Sequence, residues 1–313
     1  MAVLVTGGAG FIGNCLCEYL IINGEEVIAV DDLSLGATRN IDRLLESPLF
    51  SFYEINVNSK KFEDLCAGTQ IDTIFHLAAN SNIDLSHQDP NIDIKNTLNT
   101  TISVLEVMRK NNISELVFAS TSAIYGDTNG VSAAEDHGPL VPHSHYGAAK
   151  MASEGFIYSY CENYGITAWV TRFPNVVGDF ATHGVVYDFV KKLSLDPNEL
   201  EILGDGEQTK PYIFVTDLVD AMMFVWKNSV DQINVFNIGN HTTTNVRRIA
   251  EITSSVMGLN PIFKFKGGKK GWIGDVPNFA YNFEKLRSSG WEPKITSDEA
   301  ISKTAAWLKE NLS

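Results

Sequence analysis

The chain has 313 residues, 44% of them hydrophobic and 20% charged, proportions that suit a globular protein with a sizeable core and about two lobes. A formal net charge of −14 excludes nucleic acid and anionic membrane surfaces as general partners, because both require a basic face. The four cysteines (Cys15, Cys17, Cys66, Cys161) stand at no metal-ligand spacing, no apolar run approaches the roughly 20 residues of a membrane span, and no basic leader precedes the first strand; the expectation is a cytoplasmic protein with reduced thiols and no metal.

Ala2–Thr6 predicts a short buried strand that runs straight into Gly7, Gly10 and Gly13 and then a helix. In this spacing the first glycine allows the tight turn, the second lets the backbone approach a diphosphate, and the third lets the helix pack closely on the sheet. Free N–H groups at the helix start receive the negative charge. A second strand, Glu26–Asp31, ends in a carboxylate placed to accept both hydroxyls of an adenine ribose. No arginine follows Asp31 until Arg39, so a 2′-phosphate would meet an uncompensated carboxylate, and NAD is the expected cofactor.

Strands at Phe50–Ile55, Thr73–Ala78, Leu116–Ser120, Ala168–Phe173 and Val235–Ile238 alternate with helical patterns such as Leu98–Lys110 and Tyr146–Tyr164. The fold class this predicts is α/β: a Rossmann-type doubly wound parallel sheet with a smaller C-terminal α/β lobe that binds substrate. After Asn175 the segments shorten and become richer in loop residues, through Gly204, Asp205 and Gly206 and the stretch 267–271. The expected division is a nucleotide-binding domain at 1–175 plus about 213–241, and a substrate lobe at 176–212 and 242–313 that leaves a cleft against it.

Tyr146 and Lys150 are four residues apart on a predicted helix and share one face. A tyrosine base near neutrality must lose about three pKa units, roughly 4 kcal/mol. One ammonium about 4 Å away supplies that much at an effective dielectric near 20. The expectation is therefore that Lys150, with a positively charged nicotinamide, lowers Tyr146 into the working range. Upstream, Ser120, Thr121 and Ser122 bring hydroxyls to a strand end. An enzyme and a non-catalytic nucleotide-binding sensor both remain open on this scaffold, although a sensor has no use for the Tyr146–Lys150 pair.

The glycine motif, His76 to Ala79, the Ser/Thr segment before Tyr125 and Gly126, Tyr146 to Lys150, Arg172 to Gly178, Gly204 to Lys210, Val215 to Asp217 and Asn237 to Gly239 together resemble the extended short-chain dehydrogenase/reductase superfamily. Within its NAD-dependent epimerase/dehydratase family, the chain is most similar to the UDP-glucose (UDP-galactose) 4-epimerases. The resemblance implies an epimerase that inverts C4 through a transient 4-keto sugar, with other nucleotide-sugar epimerases and reductases as alternatives. It implies Thr121, Tyr146 and Lys150 as catalytic residues. It places Gly7, Gly10, Phe11, Ile12, Gly13, Asp31, Asp32, Leu33, Ser34, Asn56, Val57, Leu77, Ala78, Ala79, Asn96, Ser120, Tyr146, Lys150 and Phe173 around NAD. Thr121, Tyr146, Asn175, His183, Gly184, Val185, Lys210, Tyr212, Asp275 and Phe279 would face a UDP-sugar. A homodimer through the helices at Leu98–Lys110 and Tyr146–Tyr164 is likewise implied.

Some positions depart from the family pattern. Lys210 and Trp272 stand where arginines are usual, so a bidentate diphosphate clamp becomes a point charge; Lys264, Lys266, Lys269 and Lys270 are either its replacement or a solvated cationic loop. Thr97 takes the place of a usual asparagine, with Asn96 one residue earlier, and Pro174 replaces a common aromatic. Ser122 and Ala123 occupy positions where the related dehydratases carry an acidic pair and the decarboxylases a glutamate, and neither can act as that acid or base.

Overall fold

Apolar runs of five or six residues broken by glycine turns and capped helices set the chain's order in a computed structural model, which describes residues 2–81, 83–268, 271, 276, 279 and 281–312. Asp275, Lys269, Lys270 and Trp272 lie outside the described residues. The elements are β1 (Ala2–Thr6), α1 (Phe11–Ile22), β2 (Glu26–Asp31), β3 (Phe50–Glu54), α2 (Lys60–Ala67), β4 (Ile71–His76), α3 (Ile83–Gln88), α4 (Asn91–Asp93), α5 (Asn99–Asn111) and β5 (Glu115–Thr121). There follow α6 (His145–Tyr164), β6 (Thr167–Phe173), β7 (Asn175–Val177), α7 (Val185–Leu195), β8 (Glu199–Ile202), β9 (Thr209–Phe214), α8 (Val215–Asn228) and β10 (Ile233–Asn237). The last are β11 (Thr243–Asn245), α9 (Val246–Met257), β12 (Ile262–Phe265), α10 (Glu284–Ser288) and α11 (Ser297–Asn311). No helix among the described residues is long and apolar enough to cross a membrane.

The chain forms two compact units, the first made of Met1–Ile124, Ser144–Arg172 and Met222–Phe236. Its sheet runs β10-β6-β5-β4-β1-β2-β3, with β1 parallel to both β2 and β4, β2 parallel to β3, and β4 parallel to β5. Every residue of β1 is buried, as a strand covered on both faces requires. Leu4, Ile28, Ile74, Leu105, Leu116, Phe118, Ile157 and Val170 pack one face of this sheet against α5 and α6. The strand order reverses at β1, so the ends of β1 and β4 form the switch point where a ligand is received.

Two elements shift from the sequence expectation for visible reasons. β4 starts at Ile71 and stops at His76, short of the expected Ala78, because the Leu77 and Ala78 N–H groups both turn to the Thr6 hydroxyl at 3.2 Å. The helix expected from Leu98 begins at Asn99, and a wider π-helical turn, Ile94–Leu98, precedes it.

The second unit comprises Tyr125–His143, Phe173–Ala221 and Asn237–Ser313. It holds a three-stranded sheet, β11-β9-β7, and the pair β12-β8. Phe189, Leu193, Leu200, Ile202, Phe214, Ile249, Ile301 and Leu308 form its core. The expectation of short, loop-rich segments after Asn175 is corrected here: α7, α8, α9 and α11 have 11, 14, 12 and 15 residues. Their starts are locally encoded, as α9 is capped by Asn245, which accepts from Arg248 N at 2.8 Å, and α11 by a Thr296–Glu299 capping box.

Candidate active site

Gly7 takes φ +73°, and a side chain there would meet Ala78 N at 2.9 Å. A Cβ at Gly13 would stand 2.0 Å from the Gly7 carbonyl oxygen, so α1 starts hard against the turn. Gly10 caps α1 without a side-chain hydrogen bond, and the first turn holds no acidic residue. Phe11 and Ile12, half-buried, begin the helix. The Gly7 and Gly8 amides are held by the Val30 carbonyl, Ala9 N by Asp31 and Gly10 N by the Gly7 carbonyl, so it is the first-turn amides of α1, which have no acceptor within the helix, that face an anion. Leu77, Ala78 and Ala79 lie half-buried just past the end of β4, across the switch point.

Asp31 ends β2 and is buried, with Oδ2 accepting from Ala9 N at 3.1 Å and Oδ1 from Leu33 N at 2.8 Å. Burial pushes its carboxyl above the ordinary value, against the pull of those two N–H groups. Each oxygen retains acceptor capacity for a diol. Leu33 adopts φ +58°, a left-handed turn that brings Asp32 Oδ1 onto Ser34 N (3.0 Å) and Oγ (2.6 Å), while Asn56 Nδ2 donates to Asp32 Oδ2 at 2.7 Å. Val57 beside it is buried. A crowded glycine turn leading straight into the start of α1, followed by a held carboxylate, fits a dinucleotide.

Thr121, Tyr146 and Lys150 are brought together. The Thr121 hydroxyl accepts from Ala123 N at 3.1 Å and lies beside the Tyr146 phenol, whose proton affinity it lowers. Ser144 caps α6 by accepting from Gly147 N at 3.0 Å, which fixes where Tyr146 sits in the first turn. Lys150 Nζ donates to the Ala119 carbonyl at 2.6 Å and lies 6.0 Å from the Tyr146 ring centre, and burial pushes the phenol up to about 12, with only Thr121 opposing. Lys150 is not among the groups that oppose this rise. The amine is itself pushed down to about 7 by burial, with Glu154 and then Asp93 opposing.

Other expected residues are placed less favourably. Asn96 is exposed, whereas Thr97 is buried with its hydroxyl accepting from Asn80 N at 3.2 Å. Ser120 is buried and donates to Glu154 Oε1 at 2.5 Å, so its hydroxyl is committed inward. Lys264 on β12 pairs with Glu199 at 2.5 Å, and Lys266 just past it with Glu201 at 2.8 Å, which engages two of the four lysines suggested as a diphosphate clamp. In the second unit, Phe173 is buried, Asn175 begins β7, and Tyr212 faces it in register from β9. Lys210 precedes on β9, His183 is exposed with Nδ1 3.2 Å from Thr182 Oγ1, and Gly184 (φ +98°) caps α7 ahead of Val185. Phe279 joins an aromatic cluster, 5.5 Å from Tyr281 and 6.3 Å from Tyr125, whose hydroxyl donates to Asn237 at 2.8 Å.

Sequence reading missed His76 and Glu154. His76 bonds Thr6 through Nδ1 (2.7 Å) and Thr101 through Nε2 (3.2 Å), and burial together with Lys150 drives it down to about 3, so the ring stays neutral. Glu154 could have been suspected from its spacing, four residues beyond Lys150 on the same helix face.

A phenol beside a threonine hydroxyl, in the unit that carries a glycine turn at a helix start, is the equipment of a dinucleotide-dependent enzyme that moves the proton of an alcohol. The model of the NAD dependent epimerase/dehydratase family matches residues 3–239; the chain belongs to that family, and its cofactor is NAD. It is 29% identical to a UDP-glucose 4-epimerase of Mycolicibacterium smegmatis over 99% of both chains. It is 28% identical to a UDP-glucuronate 4-epimerase of Thermodesulfobacterium geofontis, over 99% of this chain and 96% of the other. Among solved structures, one of a UDP-galactose 4-epimerase matches with a TM-score of 0.90 and 36% identity over the whole of both chains.

Proposed function

We propose that the protein is a sugar-nucleotide 4-epimerase that interconverts UDP-glucose and UDP-galactose. The observation that carries this reading is Thr121, at the end of β5, set beside Tyr146 at the start of α6, with Lys150 one turn further along the same helix. The Tyr146 oxygen takes the proton of the sugar C4 hydroxyl with the Thr121 hydroxyl as its partner, and it returns a proton to the 4-keto oxygen once the sugar has turned over. When bound, oxidised NAD supplies a hydride acceptor and a positive charge. That charge matters because burial holds the phenol near 12 in the protein alone, and a nearby cation favours the ionised form. Ser122 and Ala123 offer no acid or base for removing water or carbon dioxide, which leaves simple inversion.

In this reading the first unit holds NAD, and Asn175, His183, Gly184, Val185, Lys210, Tyr212, Asp275 and Phe279 of the second receive the UDP-sugar. The names of the relatives support a UDP-sugar. A bulky side chain at Phe279, if it stands beside C2 as in the resembling epimerases, disfavours an N-acetyl group there. Phe156 and Tyr164, 46% and 54% exposed on α6, support a homodimer through that helix. The acidic surface supports a cytoplasmic enzyme with no nucleic acid or membrane partner. The test is a panel of UDP-glucose, UDP-galactose, UDP-N-acetylglucosamine and UDP-glucuronate assayed for C4 inversion with NAD. Inversion of the first two is expected; inversion only of another member, or of none, overturns the assignment.

A further inference from the structure

Three consecutive residues of β5 each hold one residue of α6. The Ala119 carbonyl accepts from Lys150, the Ser120 hydroxyl donates to Glu154, and the Thr121 hydroxyl lies beside Tyr146. Those three partners are spaced by four residues along one face of the helix. Glu154 is the most heavily engaged. Its Oε1 accepts from Ser120 Oγ (2.5 Å) and Arg172 Nε (3.0 Å), and its Oε2 from the second Arg172 arm (2.7 Å) and the Tyr158 hydroxyl (2.8 Å). Four donors fill the acceptor sites of one carboxylate. The Glu154 and Arg172 side chains are 2% and 5% exposed.

A buried ion pair of this kind adds little stability over well-packed apolar residues, since desolvation offsets the attraction. Stability is therefore a weak reason for its presence beneath a catalytic helix. We propose that Glu154, clamped by Arg172, is a positioning residue of the site: it sets the rotation of α6 at which Tyr146 meets Thr121, and it is a buried negative charge that keeps Lys150 protonated. This rests on reading Tyr146 and Lys150 as the catalytic pair. Among the described residues, the titratable or charged groups facing Lys150 are Asp93 from α4, neutral His76 from β4, and Tyr146 and Glu154 on α6, while Arg172 from β6 is locked to Glu154. Of the groups that oppose burial and hold the proton on Lys150, Glu154 is the strongest and Asp93 the next.

The experiment compares wild type with Glu154→Gln/Arg172→Met, which removes both charges and strands neither. Lys150 is titrated by NMR of ε-carbon-labelled lysine in the protein without nucleotide, assigned with Lys150→Arg, and kcat and KM for UDP-glucose are measured against pH. A folded double variant is expected to show the Lys150 midpoint about one unit or more lower and kcat about tenfold lower near pH 8, with KM within about twofold. A folded double variant with wild-type midpoint and wild-type kcat overturns the proposal. If the double variant does not fold, Glu154→Asp decides, because it keeps the charge and shortens the reach: a retained midpoint with lowered kcat supports positioning, and an unchanged kcat refutes it. Wild type that inverts none of the nucleotide sugars sinks the functional reading instead, and the NMR titration still judges the role of Glu154.

Discussion

Replacing Gly13 with alanine should damage the protein, while the same replacement at Gly155 should strengthen it. At Gly13 the new methyl would stand 2.0 Å from the Gly7 oxygen, 2.8 Å from the Gly7 carbonyl carbon and 2.9 Å from Gly8 Cα. All three are backbone atoms of the turn, so α1 must move off it by roughly an ångström to reach ordinary contact. Alanine gains up to about 1 kcal/mol of helix propensity over glycine, whereas overpacking of this kind costs about 1–3 kcal/mol or more. With three backbone atoms inside ordinary contact the cost lies at the upper end, so the net is a loss of roughly 2–3 kcal/mol, and the displaced turn should weaken NAD binding at least about tenfold. At Gly155, on the exposed face of α6, a methyl meets nothing within 4 Å, so only the propensity gain of about 1 kcal/mol remains. Calorimetric NAD titration and thermal unfolding of both variants decide the matter. Wild-type NAD affinity and unfolding temperature in Gly13→Ala would refute the packing role assigned to this glycine.

Tyr146→Phe keeps the ring and removes the acid, so C4 inversion should fall at least about a hundredfold with NAD still bound, and activity within a few-fold of wild type would exclude the phenol as base. Asp31 should make NAD strongly preferred to NADP in competitive binding, and equal affinity would contradict its assignment to the ribose. Phe279→Ser should raise turnover of UDP-N-acetylglucosamine relative to UDP-glucose; a variant that only loses stability would make Phe279 a part of its aromatic cluster and nothing more. His76, held near 3 when folded and near 6.5 when unfolded, binds its proton first in the unfolded chain. Its contribution is thus whole above about pH 6.5 and is lost toward pH 3 at about 1.4 kcal/mol per unit. His76→Gln should flatten that part of the stability profile, measured by urea unfolding, and an unchanged slope would rule the burial effect out.

The parts of the fold governed by local chemistry were legible. β1 and β2 fall at the expected bounds because each is an unbroken apolar run ended by glycine or a carboxylate. The spacing of Gly7, Gly10 and Gly13 likewise carried the turn, since each glycine answers a steric demand of the backbone. Features set by distant partners were not. Nothing near Tyr125 announces that its hydroxyl bonds Asn237, or that Ala133 O accepts from Asn282 N at 3.0 Å, the contacts that tie residues 125–143 to the second unit. The separation of Lys150 from the phenol depends on a carbonyl of β5, which spacing along α6 cannot reveal. The committed state of Lys264 and Lys266 required knowing that β12 lies parallel to β8, with glutamates at alternate positions facing them.

The pairing of those two lysines bears on how an anion comes to this molecule at all. With a net charge of −14 and these cations cancelled by neighbouring glutamates, the long-range field repels a dinucleotide on approach. The oriented amide dipoles at the start of α1 act only over the last few ångströms, inside the Debye length of about 8 Å at physiological ionic strength. Dissolved salt should therefore quicken the encounter, the reverse of its effect on enzymes that steer anions with exposed lysine, and selectivity is exercised after arrival and not during it.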